Sequence, residues 1–344
     1  MRAVVAIGVS REDPLSCLAV AERPEPIVPP GWEVIEVRAA ALNHHDLWSL
    51  RGVGVEEDHL PVTLGCDAAG VTADGREVIA HAVLGTPGPG LDETLAEDLH
   101  LLSERGIAGT LAERVAVPSR NLIAKPRTLS WVEAAALPTA YLTAYRMLFT
   151  RGGLRPGDSV LVQGAGGGVA AAAIILGAAA GLRVYATSRS PEKRARAVEL
   201  GAKDCLEPGA RLPERVDTVI ETVGEATWGH SLRSLRPGGV VVVSGATTGS
   251  APSAELSRVF WRQLSVVGST MGTLDELRRL VAFLETSGAR PVIDSEWMLD
   301  EAPQAFARLH DGTAFGKIVI LPTADEIARL EAAFALAEAP SPRA

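Results

Sequence analysis

SVLVQGAGGGVAAAAIILG, residues 159–177, is the stretch that decides the fold. Its first four residues form a short apolar run of buried-strand type. Gly164, Gly166, Gly167 and Gly168 follow at once, and an Ala-rich run of helical length comes next. A strand that turns on glycines into a helix lets the backbone approach a pyrophosphate, whose charge then sits against the helix N-terminus. A glycine motif alone is weak, so its flanks carry the weight. LRVYATS (182–188) reads as a second strand, and Ser190-Pro191 as the cap and first-turn proline of another helix. VDTVIETVG (216–224), GGVVVVSG (238–245) and QLSVVGS (263–269) read as further buried strands. Such alternation means an α/β, doubly wound parallel sheet with helices on both faces.

The end of the second strand selects the cofactor. Sites for NAD usually carry an acid there, to bind the ribose 2′-hydroxyl. This chain has TSRSPEKR (187–194) instead, which offers Ser188, Arg189 and Lys193. A carboxylate would repel a 2′-phosphate, whereas a guanidinium pairs with it through two hydrogen bonds. The expectation is NADP(H) rather than NAD(H).

Outside this region the texture changes. The first third is β-rich, with short strand-like runs and a hairpin whose tip is Asp74-Gly75. From Ser130, a plausible N-cap, the chain reads as helices broken at Pro138. Residues 290–321 return to strand, helix and strand and are expected to rejoin the first domain. The tail from Pro322 reads as a surface helix followed by a frayed end.

Composition sets the broad class. A length of 344 residues with 47% hydrophobic content suits two domains. The net charge of −9, without a block of Lys or Arg, argues against nucleic acid or an anionic membrane as partner. The longest apolar run, 168–181, is shorter than a membrane span, and the N-terminus does not read as a signal peptide. Three widely spaced cysteines argue against a disulfide framework and fit a reducing cytoplasm.

The glycine turn, VDTVIETVG, LRPGGVVVVSGATTG (235–249) and AFGKIVI (314–320) together resemble the medium-chain dehydrogenase/reductase superfamily, nearest its quinone oxidoreductase-like and "zinc-binding dehydrogenase" branches. The resemblance implies a GroES-like β-barrel catalytic domain over 1–125 and 286–344. A Rossmann domain over 126–285 is inserted into it, and the active site lies in the cleft between them. It also implies hydride transfer from a nicotinamide cofactor to a small molecule, and a homodimer formed near QLSVVGS. Carried over by position, the phosphate turn falls on Ala165, Gly166, Gly167, Gly168 and Val169. Thr143, Gly245 and Lys317 match further cofactor contacts. A tyrosine common in the family falls on Pro208, so that contact is missing.

Zinc-dependent members place a cysteine where Asn43 stands, a histidine-glutamate pair where Cys66-Asp67 stands, and a third ligand near Thr139. Asparagine and threonine are poor zinc ligands. The stretch 81–110 lacks the four cysteines of the family's second zinc site and reads as a Pro-Gly loop followed by an acidic helix. No metal site is therefore expected, although His44, His45, Cys66 and Asp67 leave an unorthodox set open. The segment NHHDLW (43–48) is expected to shape the nicotinamide end of the cleft. Asn43 can hydrogen-bond cofactor or substrate, while Asp46 can orient His44 or His45 as a proton donor, His44 being the favoured one. Trp48, Met271 and Trp261 are candidates for an apolar wall. The resulting expectation is zinc-independent, NADPH-dependent reduction of a quinone, enone or other activated carbonyl. Two alternatives stay open: a zinc alcohol dehydrogenase with altered ligands, and a non-catalytic NADPH-binding protein.

Overall fold

The computed structural model describes residues 1–322, so the helix expected beyond Pro322 lies outside the described residues. Six parallel strands form one sheet: Ser159–Val162, Arg183–Thr187, Asp204–Leu206, Val216–Glu221, Leu235–Val243 and Ser265–Gly268. The first three are laid down from the centre to one edge and the last three from the centre to the other. The order therefore reverses between Ser159–Val162 and Val216–Glu221. In doubly wound sheets that reversal opens a crevice at the carboxyl ends of the strands, where ligands bind. The helix Gly168–Ala179 starts at this point and is buried through its middle, as a sequence apolar on every face must be. Ser190 caps Pro191–Glu199 by accepting the Lys193 N–H at 3.1 Å.

QLSVVGS was expected as a buried strand. Ser265–Gly268 is instead the outermost strand of the sheet, and Val266 is 52% exposed. An outermost strand has one neighbour rather than two, so apolar composition alone did not bury it.

The rest of the chain forms antiparallel sheets. Trp32–Ala41 pairs with Asp67–Thr72 and with Arg114–Pro118, and the hairpin at Gly75, with φ of +85°, leads into Glu77–Ala80. Late in the chain, Lys317–Leu321 pairs antiparallel with Trp32–Ala41 and parallel with Ile293–Met298. That pairing returns residue 317 to the side of Leu42, whose N–H donates to the Ile318 carbonyl at 2.9 Å.

Ser130 caps Trp131–Ala135 through a reciprocal capping box with Glu133. The helix does not break at Pro138. Leu137–Tyr141 continues as a wide i→i+5 turn, a geometry that tolerates the missing proline N–H. No acidic helix forms after the Pro-Gly loop. Between the short strands Val83–Leu84 and His100–Leu101 there is only a single turn, Glu93–Leu95, capped by Asp92. Leu91 and Leu95 are exposed while Leu102 is buried, so these leucines do not form one helical face.

Candidate active site

Strand Trp32–Ala41 ends where helix His44–Ser49 begins, and Asn43 stands between them as the N-cap. Asp46 fixes this start by accepting the Asn43 backbone N–H on Oδ2 at 2.7 Å. Neither imidazole is hydrogen-bonded to Asp46, so the expected Asp46–His44 relay does not form among the described residues. The capping geometry accounts for this, because it turns one carboxylate oxygen to the backbone.

The two histidines diverge. His44 is exposed at the helix start, yet its enclosed surroundings, with Lys317 and Arg51 nearby, hold its pKa below the usual 6.5. It is therefore mostly neutral near pH 7. His45 turns inward, with Nδ1 3.4 Å from Cys66 Sγ and Nε2 2.9 Å from Glu104 Oε1. Burial acts to lower the His45 pKa, but Cys66 and Glu104 hold it well above 6.5. Burial also pushes the Cys66 thiol up, and its proton is directed to the Leu102 carbonyl at 3.3 Å.

Beside the helix start lies a buried cluster centred on Lys317. Its ammonium donates to the Leu42 carbonyl at 2.7 Å, Asn43 Oδ1 at 2.6 Å and Asp67 Oδ2 at 3.0 Å. Asn43 Nδ2 donates to the same Asp67 oxygen at 2.9 Å, and Thr139 Oγ1 donates to Asp67 Oδ1 at 2.6 Å. Asp67 is fully buried and Lys317 nearly so. Two expectations are corrected here. The hydrogen-bonding capacity of Asn43 is engaged inside this cluster rather than offered to a ligand. Lys317 sends only its stem past the glycine turn, where Cδ would lie 3.0 Å from a Cβ built on Gly168, and its charge goes to Asp67. Thr139 alone of the cluster's side chains remains partly exposed.

At the carboxyl end of Ser159–Val162, Gly164 and Gly166 adopt φ of +77° and +128°, conformations that favour glycine. The turn is tied to the next strand by Ala165 N–H to the Thr187 carbonyl at 2.7 Å. A Cβ built on Gly167 meets nothing within 4 Å, so open space lies against the N-terminus of Gly168–Ala179. Val169 is half-buried on that helix and Thr143 is buried on Leu142–Tyr145. Gly245 sits against the Thr222 carbonyl, 3.0 Å from a built Cβ. Ser188 is buried at the second strand's end, and Arg189 beyond it is exposed, with no guanidinium partner among the described residues. Lys193 differs from its expected role. Its stem crosses Gly166, and its ammonium donates to the Gly312 and Ala314 carbonyls at 2.7 and 2.8 Å.

Of the expected apolar wall, Trp48 is half-buried with the Arg51 guanidinium 5.0 Å above its ring. Met271 belongs to the core of the antiparallel domain, and Trp261 is 80% exposed beside the outermost strand. Sequence reasoning missed Glu104, which lies far along the chain in an irregular segment without any motif. It also missed a buried network in which Gln163 accepts from Thr187 and donates to Ser231. The signal was present there, as a glutamine ending an otherwise apolar strand.

Comparison with known proteins matches residues 29–127 to the alcohol dehydrogenase GroES-like domain and 168–286 to the zinc-binding dehydrogenase family. The chain is 31% identical over 337 residues to a zinc-type alcohol dehydrogenase-like protein, YogA, from Leptosphaeria maculans, covering 88% of this chain and 93% of that protein. It is also 31% identical to the 2-methylene-furan-3-one reductase of Solanum lycopersicum, covering 84% and 71% of the two chains. A solved NAD-dependent alcohol dehydrogenase superposes with a TM-score of 0.86 at 33% identity, covering 94% of this chain and all of that one.

Proposed function

The chain belongs to the zinc-type medium-chain dehydrogenase/reductase superfamily of oxidoreductases, and on that premise we propose that it is an NADPH-dependent reductase of enones, quinones or other activated carbonyls that uses no metal at the reacting oxygen. One observation carries this reading. Of the positions that hold zinc in metal-dependent members, here Asn43, Cys66, Asp67 and Thr139, Asn43 and Asp67 bond the ammonium of Lys317 and Thr139 bonds Asp67. A cation placed among Asn43, Asp67 and Thr139 would meet an amide, a hydroxyl and a carboxylate already paired with a positive charge, a donor set that does not fit zinc. Without a Lewis acid, an acceptor whose π system spreads the incoming charge is the one that needs least help. The tomato relative, named for reduction of a 2-methylene-furan-3-one, supports that substrate class.

When bound, NADPH supplies the hydride. The open turn of Ala165, Gly166, Gly167, Gly168 and Val169 would hold its pyrophosphate, and Ser188 and Arg189 the adenosine phosphate. Thr143 and Gly245 would line the nicotinamide path. The choice of NADPH rests on Arg189, since the 33% identical solved relative is NAD-dependent. At the reacting end Lys317 fixes Asp67, and Asp67 accepts a hydrogen bond from the Thr139 hydroxyl, which leaves the lone pairs of that partly exposed oxygen to accept from a ligand. His44, accessible to solvent, takes up a proton and passes it on as the imidazolium after hydride addition.

We further place the enzyme in the cytoplasm as a homodimer. All three cysteines are free, and no helix among the described residues is long and apolar enough to cross a membrane. Leu256, Phe260, Trp261 and Val266 are exposed at and next to the outermost strand, an apolar patch suited to a second copy.

The test is NADPH oxidation by chelator-treated enzyme against a panel of enones, quinones, aldehydes and plain ketones. Turnover of enones or quinones without added metal, faster with NADPH than NADH, is expected. Turnover only after zinc is added, or of plain ketones alone, would overturn the reading.

A further inference from the structure

We propose that Cys66, His45 and Asp46 bind one divalent cation of the zinc class, at a buried structural site separate from the reacting centre. Cys66 Sγ, a ring nitrogen of His45 and a carboxylate oxygen of Asp46 all lie within 4.8 Å of one another. Cys66 Sγ and His45 Nδ1 are 3.4 Å apart. Sulfur and nitrogen ligands at ordinary zinc distances in a tetrahedron stand about 3.6 Å apart, so an ion fits between them with little movement.

Two further observations point to a ligand. Asp46 Oδ1 is fully buried and has no hydrogen-bond partner, while Oδ2 is satisfied by the Asn43 N–H. A buried carboxylate oxygen left unpaired is costly, and a cation would satisfy it. His45 is also held as metal-binding histidines are, with its outer nitrogen on a carboxylate. Glu104, itself fixed by the Leu101 N–H at 2.7 Å, accepts from Nε2–H. That bond keeps a proton on Nε2, so that Nδ1, once a metal displaces its proton, presents its lone pair toward Cys66. Ser103, fully buried and held at φ of 75°, places its Oγ 3.9 Å from Cys66 Sγ and can complete the coordination directly or through water.

This ligand set shares only position 66 with the zinc positions discussed above, since Asn43 and Asp67 are engaged with Lys317 and Thr139 with Asp67. Cys66 and Asp46 are fully buried, which keeps the ion from substrate; the edge of His45, with its side chain 16% exposed, provides the way in. Binding converts Cys–SH, the His45 imidazolium and M²⁺ to Cys–S–M⁺–His45 and two H⁺. The thiol proton, directed to the Leu102 carbonyl in the free protein, leaves to solvent. The ion would tie helix His44–Ser49 to the 101–104 segment, a structural role that is independent of which carbonyl is reduced.

The test is a titration of the chelator-treated full chain with Co²⁺ and then Zn²⁺. One equivalent of Co²⁺ should bind, with thiolate-to-cobalt charge-transfer absorption and release of protons from Cys66 and His45, and Zn²⁺ should displace it. Cys66→Ser should lose the charge-transfer band, and Glu104→Gln should weaken affinity by about 10–100-fold. Circular dichroism and NADPH binding check that each variant is folded. No stoichiometric uptake by the folded wild type would overturn the proposal, as would an unchanged cobalt spectrum in Cys66→Ser. Should Cys66→Ser fail to fold, unchanged affinity in Glu104→Gln overturns it. NADPH oxidation is assayed separately, so a failed reductase reading and a failed metal site give different results.

Discussion

Replacing Lys317 by Met tests the centre of the site most directly. The methionine keeps an unbranched apolar stem against Gly168 but removes a charge that makes three hydrogen bonds, at 2.6, 2.7 and 3.0 Å. Asp67 stays fully buried, with Asn43 and Thr139 as its remaining side-chain partners. Removing one partner of a buried ion pair strands the other charge, at a cost of about 3–5 kcal/mol. Urea unfolding followed by Trp fluorescence and far-UV circular dichroism reads this as a lower midpoint at unchanged slope. With a slope of about 2–3 kcal/mol per molar, the shift is roughly 1–2 M in the transition of the antiparallel domain. The double variant Lys317→Met/Asp67→Asn removes both charges and should recover much of the loss, a coupling of about 1–3 kcal/mol. A single variant within about 1 kcal/mol of wild type, or a double variant no better than the single, would refute the account of the cluster.

The remaining expectations are narrower. Arg189→Gln should raise the KM for NADPH by about 10–100-fold, the loss of a charge-assisted pair, and leave that for NADH nearly unchanged; equal effects on both cofactors would remove Arg189 from the 2′-phosphate. If His44 delivers the proton, kcat should fall as pH rises through a value below 6.5, the direction in which its surroundings move it, and His44→Gln should flatten that profile. Asp46 has its pKa raised from 3.8 to about 6 by burial, so its contribution to stability is present below 3.8 and lost as pH rises through 6. Wild type should therefore gain on Asp46→Asn by on the order of 2–3 kcal/mol between pH 7 and pH 4 in metal-free buffer, measured by urea melts; a pH-independent difference would show that burial does not penalise this carboxylate. Trp261→Glu should halve the mass seen by light scattering if the exposed patch joins two copies.

Much of the dinucleotide half was legible in the sequence. Its strands are short apolar runs, its turn is marked by glycines that the backbone geometry requires, and Ser190-Pro191 and Ser130 announce helix starts by local hydrogen bonding. These signals act within a few residues, so they can be read without knowing the fold. They misled where a local pattern lacked its tertiary partner: QLSVVGS is apolar but outermost, and the leucines of 91–102 are spaced like a helix but lie on an irregular segment.

The catalytic end shows the opposite balance. The motif NHHDLW marked the segment that carries the candidate site, and the residue types at 43 and 139 spoke against zinc. No local rule, however, divides two adjacent histidines between solvent and Cys66, or sends the charge of Lys317 away from the phosphate turn. Those outcomes depend on strand Lys317–Leu321 pairing with Trp32–Ala41, a contact across more than 270 residues that sets the ammonium beside Asn43 and Asp67. Sequence alone determined the doubly wound fold and the place of the cofactor turn, because strand, turn and helix signals are local. Tertiary structure decided which charges meet, because a buried charge takes its partner from whatever the folded chain brings within hydrogen-bond reach.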